Sequence, residues 1–166
     1  MSRARGTLGI DPGSQVTGFC VLIAGYPAES GIITLNHKWT FEDRRKELRD
    51  AVTKLLQRVR KYVEVVAIED PPMMHNVSIL KKLVTLKTMI EEIACQAGVP
   101  YISVGPTEWQ ALVRIAAGKP MPVMPIKALS IQTAALALKK QPESNDEADA
   151  YWIARYAHEN VIVQTT

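Results

Sequence analysis

Thr7-Leu-Gly-Ile-Asp-Pro-Gly13 reads as a short buried strand that ends on a carboxylate and is stopped by a Pro-Gly turn. A second apolar run, Thr17 to Ile23, and a third, more alternating one, Gly31 to Trp39, follow over short links holding Gly25, Pro27 and Gly31, the pattern of an antiparallel meander. The period then changes. Phe41, Leu48, Val52, Leu55, Leu56 and Val59 recur at helical spacing, with Arg44, Arg45, Arg49, Arg58 and Lys61 between them. Val63 to Glu69 is a fourth strand, apolar apart from Glu64 until its last residue and halted by Pro71 and Pro72.

A long helix is expected from about Val77 to Ala97, with an apolar stripe of Leu80, Leu83, Leu86, Ile90, Ile93 and Ala94, and with Gly98 placed to end it. Val99 to Val104 gives a fifth strand, and Pro106 starts a helix through Trp109, Leu112 and Val113. Residues 114–126, with Gly118, Pro120, Pro122 and Pro125, read as a loop. Helices from Ile126 to Leu138 and from Asp146 to Ala157 complete the pattern. Three strands, helix, strand, helix, strand, then helices is the element order of an α/β, ribonuclease H-like fold: a five-stranded mixed sheet flanked by helices. No repeat or domain boundary interrupts residues 1–166, so one domain is expected.

The bulk properties bound the function. A chain of 166 residues with 47% hydrophobic and 22% charged residues suits one globular core rather than a disordered chain. No apolar run reaches the roughly 18 residues of a membrane span. The two cysteines, Cys20 and Cys95, form neither a disulfide framework nor a zinc spacing, which points to buried inert thiols and a cytoplasmic setting, bacterial or phage-infected. The net charge of +3 proves no polyanion partner, but gathering several acids in one site would leave the remaining surface distinctly basic.

Four carboxylates are placed to converge. Asp11 ends the first strand and Glu69 the fourth, and α/β sheets build their sites at strand ends. Asp146 and Asp149 stand three apart at the start of the last helix, on one face; Glu147 is rotated about 100° away and is set aside. Asp70, next on the chain to Glu69, points to the other side of the strand and is set aside too. Each acid alone has an ordinary reading as a turn cap, a surface pair or an N-cap. Glu69 argues against it, because a carboxylate closing the run Val65-Val-Ala-Ile68 needs a partner or a cation. An all-oxygen set of this kind favours Mg²⁺, with Mn²⁺ as substitute, over zinc. Two such ions would clamp the attacking and leaving oxygens of a phosphodiester displacement.

Leu8-Gly-Ile-Asp-Pro-Gly-Ser14 with Thr17-Gly18, then Val66-Ala-Ile-Glu69, then Asp146-Glu-Ala-Asp-Ala150, in that order, resembles the RuvC family of Holliday junction resolvases over nearly the whole chain. The resemblance implies a homodimer that nicks four-way DNA junctions symmetrically with two Mg²⁺ per site. It implies that Asp11, Glu69, Asp146 and Asp149 are the catalytic, metal-binding acids, and that an activated water leaves 5′-phosphate and 3′-hydroxyl ends. Lys127 matches a family lysine near the scissile phosphate. Its two readings, charge stabilisation in the transition state and a solvated lysine at a helix start, stand level.

The sequence also departs from the family. The position of the aromatic that wedges into the junction is Pro72, followed by Met73 and Met74, and a second basic position is Gln110. Met73 or Met74 could act as an apolar wedge between bases, although the ordinary reading has both packed under the loop. Asn76 matches a polar family position near DNA. Lys81, Lys82, Lys119 and Arg114 are candidate phosphate contacts, each with an ordinary surface reading beside it. Trp109 and Trp152 read as core. The basic face of the first helix is interleaved with Glu42, Asp43, Glu47 and Asp50, which favours plain solvation.

Other functions share parts of the pattern. A broader nuclease for flaps and forks needs the same acids. A non-catalytic junction-binding module would keep only the fold. A ribonuclease H acting on RNA–DNA hybrids is the nearest enzymatic alternative. An actin-like or sugar-kinase ATPase shares the Gly9-to-Gly18 hairpin but needs two such halves. A branch-migration helicase partner cannot be read from these residues.

Overall fold

The computed structural model describes residues 5–118 and 125–162. Five strands, β1 (Gly6–Asp11), β2 (Val16–Ile23), β3 (Tyr26–Thr34), β4 (Val63–Glu69) and β5 (Tyr101–Val104), form one sheet in the order β3-β2-β1-β4-β5. The β1, β2 and β3 pairings are antiparallel, while β4 runs parallel to both β1 and β5, so the sheet is mixed as expected. The helices are α1 (Phe41–Val59), α2 (Val77–Gln96), α3 (Pro106–Ala116), α4 (Ile126–Leu138) and α5 (Asn145–Ala157), followed by a short π-helical turn, His158–Ile162, that the sequence pattern did not suggest. Among the described residues no helix is long and apolar enough to cross a membrane.

The two-residue alternation of the strands sorts the core into two layers. Leu8, Ile10, Val66 and Ile68 face α1 and α2, meeting Leu48, Val52, Leu56, Leu86 and Ile90. Val65 and Ala67 face the other way, with Cys20 and Leu22, toward α3, α4 and α5. Gly9 belongs to this second face, because a β-carbon there would run into Ala150 and Ala154 of α5. By the same alternation Asp11 and Glu69 end their strands on the α5 side.

Several expected boundaries move, each for a local reason. The third strand starts at Tyr26 rather than Gly31, because Ala24 (φ 51°) and Gly25 (φ 81°) make a two-residue turn that pairs Ile23 with Tyr26. Pro27 is tolerated inside that strand because β3 is an edge and the register shifts beside it. The strand stops at Thr34, and Asn36 then turns the chain by accepting the backbone N–H of Lys38. β5 is shorter than expected: Gly98 (φ 68°) closes α2, the N–H of Val99 returns to the carbonyl of Ala94, and Pro100 has no N–H to give. Residues 114–116, read as loop, complete the last turn of α3.

Burial differs in two places. Leu80 and Leu83 are only half-buried, so the stripe of α2 reaches the core only from Leu86 onward, joined by Met89. Cys95, expected to be buried like Cys20, is exposed on the outer side of α2 because Ala94 takes the inward position.

The tightest packing is where α5 crosses β1 and β2. Added β-carbons at Gly9 and Gly18 would overlap the α5 backbone, at Ala150 and Ala154 for the first and Asp146 for the second. Thr7 Oγ1 donates to the Ala154 carbonyl at 3.0 Å, both buried. Gly18→Ala must therefore displace the first turn of α5, whereas Gly98→Ala meets nothing and strains only its own left-handed backbone. Chemical denaturation should show a loss of about 3 kcal/mol or more for Gly18→Ala and about 1 kcal/mol for Gly98→Ala. Equal losses would mean that the close approach at Gly18 does not constrain the fold.

Candidate active site

Ile10 pairs with Ile68 across the parallel strands, so Asp11 and Glu69 leave the sheet side by side. The turn after Asp11 is fixed by Thr17, whose hydroxyl accepts the N–H of Gly13 and donates to its carbonyl, both at 3.1 Å. The first turn of α5 supplies the other two acids. Ser144 caps that helix, accepting the N–H of Glu147, and its hydroxyl also donates to Asp146 Oδ2 at 3.2 Å.

Asp11, Glu69, Asp146, Asp149 and Lys127 all line one cleft of about 870 Å³, with Pro71, Pro72, Trp109, Gln110 and Ser144 among its walls. Glu147 turns away from the cleft as expected. It is fully buried, accepting from Ser30 Oγ at 2.6 Å and the N–H of Glu143 at 2.6 Å, with Lys140 Nζ at 2.5 Å. Burial pushes the Glu147 carboxyl up, but the bonds from Lys140, Ser30 and the Glu143 N–H more than offset this and hold it below the usual carboxylate range. Asp70 likewise points elsewhere, pairing with Lys87 at 3.4 Å.

The cleft acids behave in the opposite way. Burial raises the Asp11 carboxyl well above its usual range, and the neighbouring Glu69, Asp149 and Asp146 charges raise it further. The close approach of the Asp11 and Glu69 carboxyls raises Asp11 and lowers Glu69. Glu69 is itself raised, mainly by burial, against the bonds from Asp11 and Trp109. Asp149 is pushed up to about 6 by burial, with Ser130 opposing the shift, Glu69 and Asp146 adding to it, and Lys127 opposing it again.

Among the described residues no three His, Cys, Asp or Glu side chains are grouped closely enough to hold an ion as they stand. The chemistry of the donors still fits a hard divalent cation. All are carboxylates, two of them buried, and they are held near one another at the cost of mutual repulsion.

Three residues that support the acids were missed from sequence. Trp109 Nε1 donates to Glu69 Oε1 at 2.7 Å, and Ser130 Oγ donates to Asp149 Oδ1 at 2.6 Å, with Ser144 on Asp146 as above. Only Ser144 left a signal, as a helix cap with a glutamate three residues on. Trp109 read as core, which it is at 2% exposure, but its ring nitrogen reaches a catalytic candidate.

Residues 7–157 match the family described as crossover junction endodeoxyribonuclease RuvC. The chain belongs to the RuvC family. It is accordingly a junction-resolving endodeoxyribonuclease, a phosphodiester hydrolase of a family whose chemistry depends on metal. No curated protein matches it in sequence. In fold it is similar to Thermus thermophilus RuvC in complex with a Holliday junction substrate (TM-score 0.77, 19% identity, 97% of both chains). It is also similar to a second T. thermophilus RuvC structure (TM-score 0.75, 21% identity, 96% of this chain and 97% of that one). The yeast mitochondrial Holliday junction resolvase Ydc2 is more distant, at TM-score 0.56 and 15% identity, covering 94% of this chain and 78% of its own.

The remaining RuvC-type candidates spread beyond the cleft. Met73 does not pack under the loop: it is entirely exposed (102%) just beyond Pro71 and Pro72, because two prolines carry the chain outward there, and Met74 is half-buried. Asn76 caps α2 by accepting the N–H of Ile79 at 3.1 Å, which accounts for an asparagine there without DNA. Lys81 and Lys82 line a separate shallow groove with Phe41 and Ser78, the Lys82 ammonium lying 5.7 Å from the Phe41 ring centre. Arg114 is half-buried in the last turn of α3, and its buried Nε has no hydrogen-bond partner among the described residues. Lys119 lies outside the described residues. Half of the basic residues of α1 are engaged, Arg45 with Glu42, Arg49 with Glu92 and Arg58 with Glu29.

A carboxyl whose folded value lies above its unfolded one binds protons more tightly when folded. Its contribution to stability is thus greatest at low pH and is lost as pH rises through the window from 3.8 to about 6 for Asp149. At neutral pH the cost is up to about 3 kcal/mol. Without metal, Asp149→Asn should melt several degrees above the wild type at pH 7.5, by roughly 2–4 °C per kcal/mol, with the gap closing toward pH 4. A variant that melts lower at pH 7.5 would show that Asp149 is not held against repulsion.

Proposed function

We propose that this protein resolves four-way DNA junctions by paired, symmetric nicks, as a homodimer with two Mg²⁺ ions in each site, Mn²⁺ serving as substitute. The observation that carries the reading is the convergence of Asp11, Glu69, Asp146 and Asp149, from three separate segments, on one cleft that also holds Lys127. These four carboxylates would hold the metal. When bound, the divalent ions supply charge stabilisation at the phosphate oxygens and a more acidic water.

The protein's own groups do the rest. Ser130 and Ser144 keep Asp149 and Asp146 oriented through neutral donors that add no competing charge. Lys127, exposed at the start of α4 on the cleft wall, can meet a phosphate oxygen and stabilise the charge that grows on it. Pro71 and Pro72 make one wall stiff, so a phosphodiester entering the cleft meets a fixed surface beside Glu69.

The exposed N-terminal half of α2 supports the dimer. Val77, Ile79 and Val84 are exposed, at 58%, 47% and 47%, beside half-buried Leu80 and Leu83. An apolar row at a helix start is costly in water and is relieved by burial against a second copy. A two-fold enzyme also matches a two-fold substrate. Met73 at the cleft rim is the residue placed to press on unpaired bases, and Lys81 and Lys82 could hold phosphates farther along the strand.

Labelled four-way junction, flap, fork and linear duplex DNA, each with Mg²⁺, Mn²⁺ or EDTA, test the reading. Paired nicks in the junction should require metal, and Asp11→Asn, Glu69→Gln and Asp149→Asn should each lower the rate at least 100-fold while junction binding holds or tightens, because a negative charge near phosphate is gone. Wild-type cutting by any one of the three removes that residue from the site. Equal cutting of flaps and forks would make the enzyme a general debranching nuclease. Junction affinity should also fall steeply between about 50 and 200 mM salt as counterions are released. A flat salt response would remove the phosphate-contact role given to the lysines.

A further inference from the structure

The cleft acids are steadied by neutral donors, and one of these is unusual in its anchoring. Trp109 is buried at 2% exposure in the layer formed by Val113, Leu129, Ala148 and Ile153, so its ring has little freedom to turn. Its Nε1 reaches out of that layer to Glu69 Oε1 at 2.7 Å, a short bond for an indole. Glu69 itself ends β4 and is followed by Asp70-Pro71-Pro72, so its backbone is fixed by the sheet on one side and by prolines on the other. The side chain would otherwise be free to swing toward solvent. Trp109 takes one carboxylate oxygen and leaves the other without that bond, in the cleft that Glu69 and Asp11 both line.

An arginine or lysine in the same place would orient Glu69 equally well but would neutralise it and compete with a bound cation. An indole N–H carries no charge and cannot lose its proton in the physiological range. The donor therefore fixes geometry without spending the carboxylate's charge, which is the requirement on a partner that orients a metal ligand.

We propose that Trp109 is a positioning residue for metal binding, setting the orientation of Glu69 through its ring N–H and tying that orientation to the packing of α3 against α4 and α5. The inference rests on the metal-site reading above and adds a residue that reading does not contain. The effect of Trp109 passes through Glu69.

The test is calorimetric titration of Mn²⁺ alone into the full chain. The wild type is compared with Trp109→Phe and with a variant carrying β-(3-benzothienyl)alanine at position 109, which keeps the bicyclic shape and lacks only the N–H. Melting curves without metal establish that each variant folds. Both variants should fold cooperatively and bind Mn²⁺ about tenfold more weakly than the wild type, the benzothienyl variant doing so with an unchanged melting temperature or a rise. If the benzothienyl variant binds Mn²⁺ as tightly as the wild type, the N–H does not position Glu69 and the inference falls, even if Trp109→Phe is weakened through packing. A wild type that binds no Mn²⁺ would instead overturn the metal-site reading, and this inference with it.

Discussion

The close approach of α5 to the centre of the sheet governs the rest of the molecule. A helix normally rides on side chains about 10 Å from a sheet. Here Gly9 and Gly18 offer none, and α5 answers with Ala148, Ala150, Ala154 and Ala157, all buried. The helix backbone thus lies almost on the strands, with Thr7 bonded to the Ala154 carbonyl. Asp11 is paired with Gly18 in the β1–β2 ladder, and it is against Gly18 that the Asp146 backbone comes to rest. The first turn of α5 is thereby carried to the end of β1. Larger residues on either side would lift the helix, and its two aspartates would no longer reach the acids of β1 and β4.

That approach creates the electrostatic problem that defines the cleft. Three acids fall within one turn of helix, and the structure separates them by direction alone. Glu147 goes inward and is satisfied by Lys140, whose side chain is 41% exposed, and by Ser30 and a backbone N–H, so removing these partners would leave a buried carboxylate unpaired. It fastens the start of α5 to β3 and to the segment before the helix. Asp146 and Asp149 go outward and gain only a serine hydroxyl each. The same residue type is thus stabilised on one side of the helix and left in deficit on the other. That deficit contributes to the raised Asp11 and Asp149, and it is what the proposed metal would relieve.

The parts around the cleft differ in rigidity. Glu69 is held by the sheet, by prolines and by Trp109, whereas Lys127 stands exposed at the start of α4. Met73 projects fully into solvent, and the first half of α2 keeps an apolar row outside the core. Folding of the single chain accounts for neither feature, because both leave apolar surface in water. The proposed contacts, with DNA for Met73 and with a second copy for α2, would give each a physical reason. Of the basic residues of α1, by contrast, Arg45, Arg49 and Arg58 are paired with acids of the same chain.

Much was legible in the sequence because it is set by local period and by spacing. Strands and helices followed from alternation, helical stripes and punctuating glycines and prolines. The four acids stood out because two end apolar strands and two share a helix face. Alternation also set aside Asp70, and helical rotation set aside Glu147. Other features required the tertiary structure. The strand at Tyr26 depends on a turn in which an alanine accepts a left-handed backbone. The exposure of Met73 and Cys95 depends on which side of a chain meets its neighbours. Trp109 and Ser130 reach their carboxylates across 40 and 19 residues of sequence. Period and spacing describe a residue's neighbours along the chain, so they locate the acids; which side chains support those acids is decided only when separate elements pack.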